Sequence, residues 1–297
     1  MKRAATAAIL IPLVLLVVFR APASLFTLLV ALVALLALRE YFDIAAGYEV
    51  EPFRFLTYLI TVTLFGVGFW AGSVGDPGTV PVLLALVLLF GLAPFIFLCA
   101  GLPRQNLRNA LPAACFSYLG IAYIAFPLLT LVFLRMMPAG WFFVLFTLLV
   151  VWVGDTFAYY VGRSVGRIPF APRISPKKTW EGALASVAGS VIVALLLARF
   201  APQIGSGLAR ISLVTEPAGF AQTPYLAAIS VAVTLNVAAQ AGDLLESMMK
   251  RGAGIKDSGR LLPGHGGVLD RIDALLFAAP VALLLFAGTL EKFLQMP

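Results

Sequence analysis

The stretch SMMKRGAGIKDSGRLLPGHGGVLDRID, residues 247–273, gathers much of the chain's reactive polarity in one window. Gly259, Gly264, Gly266 and Gly267 leave a backbone that can approach a ligand closely. Lys250, Arg251, Lys256, Arg260 and Arg271 offer positive charge to phosphates. Asp270 and Asp273 fall three residues apart at the start of the last apolar segment, where either alone would serve as a helix cap. The single histidine, His265, sits among the glycines and either positions a phosphate or satisfies the loop backbone. Just upstream, VAVTLNVAAQAGDLLESMMKR stacks Asn236, Gln240, Asp243 and Ser247 on one helical face, with Glu246 beside it. An acid near a membrane-helix end is costly unless it meets a wet cavity, a cation or a partner, so Asp243 reads as functional. Asn236 and Gln240 read equally well as polar glue between helices. Asp243, Asp270 and Asp273 together supply oxygen ligands from two helices flanking one loop, a set suited to Mg2+.

Two other stretches carry polar side chains. In VVWVGDTFAYYVGR, Asp155 lies about two turns from the segment's end, with Tyr159 a turn later on the same face. That acid reads as functional, with an ion pair to a loop Arg or Lys as the alternative. In GRSVGRIPFAPRISPKKTWEG, Pro169, Pro172 and Pro176 prevent one continuous helix. Ser175 then reads as an N-cap and Pro176 as the first helical residue. A helix start there would present free amides to an anion, and Lys177 and Lys178 would add charge, with Thr179 alongside. An ordinary basic loop is the plainer alternative. The sequence holds no P-loop and no Cys–His cluster suited to zinc. Acids for a metal, bases for phosphates and a Gly-rich loop suit phosphoryl or nucleotidyl transfer.

The elements that must hold these groups are apolar. Of 297 residues, 61% are hydrophobic and only 12% charged. A soluble core cannot hide that much apolar surface. The expected fold is all-α: a polytopic integral membrane protein with about nine transmembrane helices, near 4–19, 24–38, 55–72, 80–100, 110–134, 140–162, 183–201, 225–245 and 272–290. The second is short and is expected to be tilted, kinked or partly inserted. The first, MKRAATAAILIPLVLLVVFRAPAS, has the look of a secretory signal peptide, yet a retained helix is the simpler account because more apolar segments follow at once.

Lysine and arginine placement sets the orientation. With the N-terminus inside, 16 of the 21 basic residues fall on the inner side and 5 on the outer, so the C-terminus lies outside. The chain divides into N-terminal transmembrane helices, 1–135, and a C-terminal catalytic region, 136–297, with inner loops 163–182 and 246–273. The net charge of +7 sits in these loops, which fits topology and anionic partners rather than nucleic acid. Cys99 and Cys115 lie in or beside apolar runs and imply no disulfide framework.

Residues 247–273 resemble the signature of the phosphatidate cytidylyltransferase, or CDP-diacylglycerol synthase, family. Ser247, Lys250, Arg251, Lys256, Asp257, Gly259, Pro263, His265, Gly266, Gly267, Asp270, Arg271 and Asp273 all stand at matching places. GDTFAYYVGR and SPKKTWEG resemble upstream family segments, and the likeness covers roughly the C-terminal half. It implies transfer from CTP to phosphatidic acid, giving CDP-diacylglycerol and pyrophosphate at the cytoplasmic face of an inner or plasma membrane. It implies Mg2+, held by Asp243 and Asp270 with Glu246 and Asp273 as further ligands, and a monovalent cation such as K+ in some members. Lys177, Lys178, Lys250, Arg251, Lys256 and Arg271 are then expected to bind phosphates. Ser175, Thr179, His265, Gly266 and Gly267 are expected to shape the pocket, and Asp155 to orient a base or a second cation. Membrane lipids are expected partners, and family analogy suggests a homodimer.

Two rival readings make different demands on the sequence. A CDP-alcohol phosphatidyltransferase would carry D-G-x-x-A-R followed by spaced acids, which is not found. An ion-coupled transporter would bury its acids near the bilayer midplane, whereas here they crowd towards one face.

Overall fold

In lipid, every backbone N–H and C=O must be satisfied within its own segment, so long apolar runs become helices. The computed structural model describes residues 2–73, 79–214, 224–261 and 266–294. They form α1 (Lys2–Arg20), α2 (Ala23–Gly47), α3 (Arg54–Ser73), α4 (Thr79–Gly101), α5 (Ala110–Gly120), α6 (Phe126–Met136), α7 (Gly140–Val165), α8 (Trp180–Arg210), α9 (Tyr225–Gly252) and α10 (Leu269–Leu294). A small hairpin of β1 (Pro169–Ala171) and β2 (Ser175–Thr179) precedes α8. Eight stretches among the described residues are long and apolar enough to cross a membrane. This is the make-up of a polytopic membrane protein.

The first expected segment, 4–19, lies within the helix α1. One segment differs from expectation. The second is not short: α2 runs 25 residues, because Arg39, Glu40 and Asp43 continue the helix rather than ending it. The fifth, expected over 110–134, is one continuous stretch, Leu107–Met136: a 3-10 turn at Leu107–Asn109, then α5 and α6 joined by a π-helical turn at Ile121–Ala125. Pro127 follows that turn and has no N–H to give the carbonyl of Tyr123, which accounts for the widening.

The chain forms two compact units. One comprises 1–10, 22–133 and 249–272. Its centre is built from Tyr41, Phe42 and Ile44 of α2, Leu64 of α3, Phe97 of α4, and Ile121 and Ile124 of the π turn, all at most 2% exposed. Phe53 N donates to Ser117 Oγ at 2.8 Å, tying the entry of α3 to α5. Tyr48 Oη donates to the Met249 carbonyl at 3.0 Å, so the end of α2 holds the end of α9.

The other unit comprises 11–21, 134–248 and 273–297. Here α7 lies along α8. Phe143 and Phe146 of α7 enclose Phe286 of α10, with ring centroids 4.5 and 5.6 Å away. Lower down, Val151, Ala239, Ala274 and Ala278 let α7, α9 and α10 approach closely, the small-residue packing typical of membrane helices. Arg135 caps the far end, donating to the carbonyls of Val18 at 3.0 Å and Ala21 at 3.2 Å.

Phe286 is 1% exposed and contacts two rings, so Phe286→Ala should destabilise the protein by about 3–5 kcal/mol. The expected readout is a lower thermal unfolding midpoint in detergent. An unchanged midpoint would mean the ring cluster does not hold this unit together.

Candidate functional site

Each unit carries a polar cluster. In the second unit, the hairpin delivers Lys178 to Asp243 of α9, with Nζ 2.6 Å from Oδ2. Both side chains keep about a third of their surface open, at 29% and 32%. Ser247, one turn further along α9, directs its hydroxyl at Asp243 Oδ1 over 3.4 Å. Glu246 lies fully buried on the same helix. Asp273 uses Oδ1 to accept from the adjacent Ala274 N at 2.8 Å, near the start of α10. Asp155 is exposed on α7, as is Tyr159, whose hydroxyl accepts from Arg163 at 3.0 Å.

The expected helix start at Ser175 is a strand instead. Ser175, Pro176, Lys177, Lys178 and Thr179 make up β2, and α8 begins at Trp180. Thr179 supplies the N-cap: its Oγ1 accepts from Gly182 N at 3.2 Å. Two contacts pull the chain into the hairpin and away from an earlier helix. The Glu181 carboxylate accepts from Ile168 N at 3.3 Å, and Trp180 packs edge-on against Phe170 at 4.6 Å. The hairpin's register shifts between its two paired positions, and Lys177 and Lys178 lie in that irregular part of β2. Lys178 is half-buried against Asp243 while Lys177 is exposed.

Asn236 and Gln240 are accounted for by packing. Asn236 Nδ2 donates to Ser186 Oγ and Ser190 Oγ, both at 2.8 Å, and Gln240 Nε2 donates to Asn236 Oδ1 at 2.6 Å. Ser190 passes the chain on to the Val150 carbonyl at 2.8 Å. This polar seam joins α7, α8 and α9 one turn from Asp243.

In the first unit, Lys250 Nζ lies 2.5 Å from Asp270 Oδ1, with the side chains only 10% and 7% exposed. Asp270 also accepts from Ser258 N at 3.0 Å and Gly267 N at 2.8 Å. Gly266 has φ of +82°, a conformation that favours glycine. Gly267 was expected to make room for a ligand. Among the described atoms, that room is filled by the Glu40 carboxylate and the Ser258 hydroxyl, which a Cβ would strike. Arg251 is exposed, with its guanidinium donating to the Ile255 carbonyl at 3.1 Å. Lys256 and Arg271 are exposed. His265 lies outside the described residues, as do Pro263 and Gly264.

Sequence reasoning missed Glu40. It accepts from Val268 N at 2.9 Å, Leu269 N at 2.8 Å and Ser258 Oγ at 2.9 Å. The available signal was an acid inside an apolar run, the same one that singled out Asp243. Ending the second span at residue 38 hides it.

Among the described residues, no three His, Cys, Asp or Glu side chains converge as a metal cage. Mg2+ does not need one, since it binds through one or two carboxylates plus substrate phosphates and water. Asp243 fits that use: it is a hard oxygen donor, partly open, beside a cation that phosphates could recruit. Asp270 offers the same donor chemistry, but its oxygens are turned towards Lys250 and two amides.

The sequence model of the Cytidylyltransferase family matches residues 1–288. A phosphatidate cytidylyltransferase of Brucella abortus is 44% identical over 172 residues, covering 58% of this chain and 56% of the relative. One from Bacillus subtilis is 38% identical over 148 residues, covering 50% and 48%. One from Staphylococcus epidermidis is 34% identical over 195 residues, covering 66% and 67%. The matched stretches thus span about half to two thirds of these relatives' length.

The cap assignment at α8 has a direct test. Thr179→Val keeps the shape but removes the acceptor, and should cost about 0.5–2 kcal/mol. Thr179→Ser should keep most of that stability. Equal melting of both variants and wild type would return the cap to another residue.

Proposed function

The chain belongs to the cytidylyltransferase family, and from that premise we propose that it transfers a cytidylyl group from CTP to phosphatidic acid. The products are CDP-diacylglycerol and pyrophosphate. One observation carries this reading: the family match runs along residues 1–288. The curated relatives bear the name of that activity.

The chemistry suits the side chains. A phosphate oxygen of phosphatidic acid attacks the α-phosphorus of CTP. The bond from that phosphorus to the bridging oxygen breaks, and pyrophosphate leaves with the electron pair. The nucleophile is already an anion at neutral pH, so no strong base is required. The need is to offset repulsion between anions and to align them. Lys178 and Lys250 would contact phosphates, with Lys177, Arg251, Lys256 and Arg271 as exposed phosphate contacts. Asp243 and Asp270 would hold Mg2+, with Glu246 and Asp273 as further carboxylates. Bound there, Mg2+ would neutralise phosphate charge. Ser175, Thr179, Gly266, Gly267 and His265 would shape the pocket, and Asp155 would orient a base or a monovalent cation such as K+.

The basic residues support an N-terminus and polar loops on the cytoplasmic side of an inner or plasma membrane, with the C-terminus outside. Nine crossings, with α1 included, go with that orientation. A homodimer completes the proposal.

Purified protein in detergent, given phosphatidic acid, labelled CTP and Mg2+, should release pyrophosphate and labelled lipid in equal amounts. Adding a chelator should stop both. Asp243→Asn should lower kcat/KM by roughly a hundredfold or more while the protein stays folded. Full activity in that variant would remove Asp243 from the reaction. No product from folded wild type, with all cations supplied, would overturn the proposed reaction.

A further inference from the structure

Glu40 of α2 has no part in the reaction as just described, yet it is buried and accepts three hydrogen bonds. Ala37, Leu38, Tyr41 and Phe42 around it are fully buried, and Glu40 itself is 6% exposed. A carboxylate so placed is costly unless donors surround it. Three do, from the far end of the sequence: the amides of Val268 and Leu269 and the hydroxyl of Ser258. The two amides stand at the start of α10, where backbone N–H groups have no partner within the helix.

The arrangement demands a carboxylate. Val268 N donates to one oxygen of Glu40, while Leu269 N and Ser258 Oγ donate to the other. A glutamine would keep one acceptor oxygen and set an NH2 against a donor. Gly267 has no side chain where a Cβ would strike both Glu40 and Ser258. Ser258, 3% exposed, is shared: its hydroxyl goes to Glu40 and its amide to Asp270. Asp270 in turn holds Lys250. A continuous set of contacts therefore leads from Glu40 through Ser258 to the Asp270–Lys250 pair.

We propose that Glu40 is a positioning residue: it fixes Ser258 and the first turn of α10, and so sets where Asp270 and Lys250 stand for the reaction. This rests on the cytidylyl-transfer reading above. Glu40 touches no substrate in this role and acts through the loop.

The test is Glu40→Gln in the full-length protein, read by amide hydrogen exchange across 266–272 and by steady-state kinetics. Faster exchange there is expected, with kcat down roughly tenfold to a hundredfold and KM for CTP changed far less. Glu40→Asp, which restores a carboxylate, should recover part of both. Wild-type exchange in Glu40→Gln, or faster exchange with wild-type kcat, would overturn the proposal. If Glu40→Gln does not fold, Ser258→Ala replaces it, because it removes one donor and leaves both amides with their acceptor. It should shift exchange and kcat in the same directions by less, and no shift in either would overturn the proposal. A folded wild type without turnover would instead remove the cytidylyl-transfer reading. The exchange comparison would then still decide whether Glu40 holds the loop.

Discussion

Away from water, an amide without an acceptor and a carboxylate without a donor are each costly, and the start of α10 resolves both costs together. The amides of Gly267, Val268 and Leu269 meet the carboxylates of Asp270 and Glu40, one local and one from α2. The rest of the first unit follows from that pairing. Helix α2 must continue past residue 38 to bring Glu40 to the loop, and Gly267 must lack a side chain. Ser258 must be small and carry both a hydroxyl and a free amide to bridge the two acids.

The second unit depends on a different economy. Its polar groups are arranged as a seam rather than a knot. Asn236, Gln240, Ser186 and Ser190 satisfy one another between packed helices. Such bonds specify register more than they add stability in a membrane. The seam fixes the rotation of α9 about its axis, and that rotation decides which way Asp243 faces. The exposed hairpin then needs only to bring one lysine to it.

The sequence was most informative where chemistry and spacing coincide. Residues 247–273 carry enough fixed positions to point to a family without any fold, and the apolar runs disclose a polytopic chain. Two kinds of information were hidden. One is long-range pairing: the partners of Glu40 lie more than two hundred positions away, and no local pattern connects REYFD to the glycine loop. The other is competition between local preferences. Ser-Pro is a good helix start, but Thr179 with Glu181 makes a better-anchored one four residues later, and Phe170 with Trp180 closes the hairpin that results. The polar tail of α2 shows the same limit, since charged residues mark the end of a span only when nothing buried receives them.

The hairpin makes length matter more than composition. Pro169 pairs with Thr179 and Ala171 with Ser175, so Lys177 and Lys178 lie where β2 carries more residues than the strand facing it. One residue gained or lost between those two pairs would change the bulge and re-aim both side chains. The ammonium now paired with Asp243 would leave it, although every charge in the segment had been kept. In this part of the molecule, identity is read by counting, and a gap in an alignment would say more than a substitution.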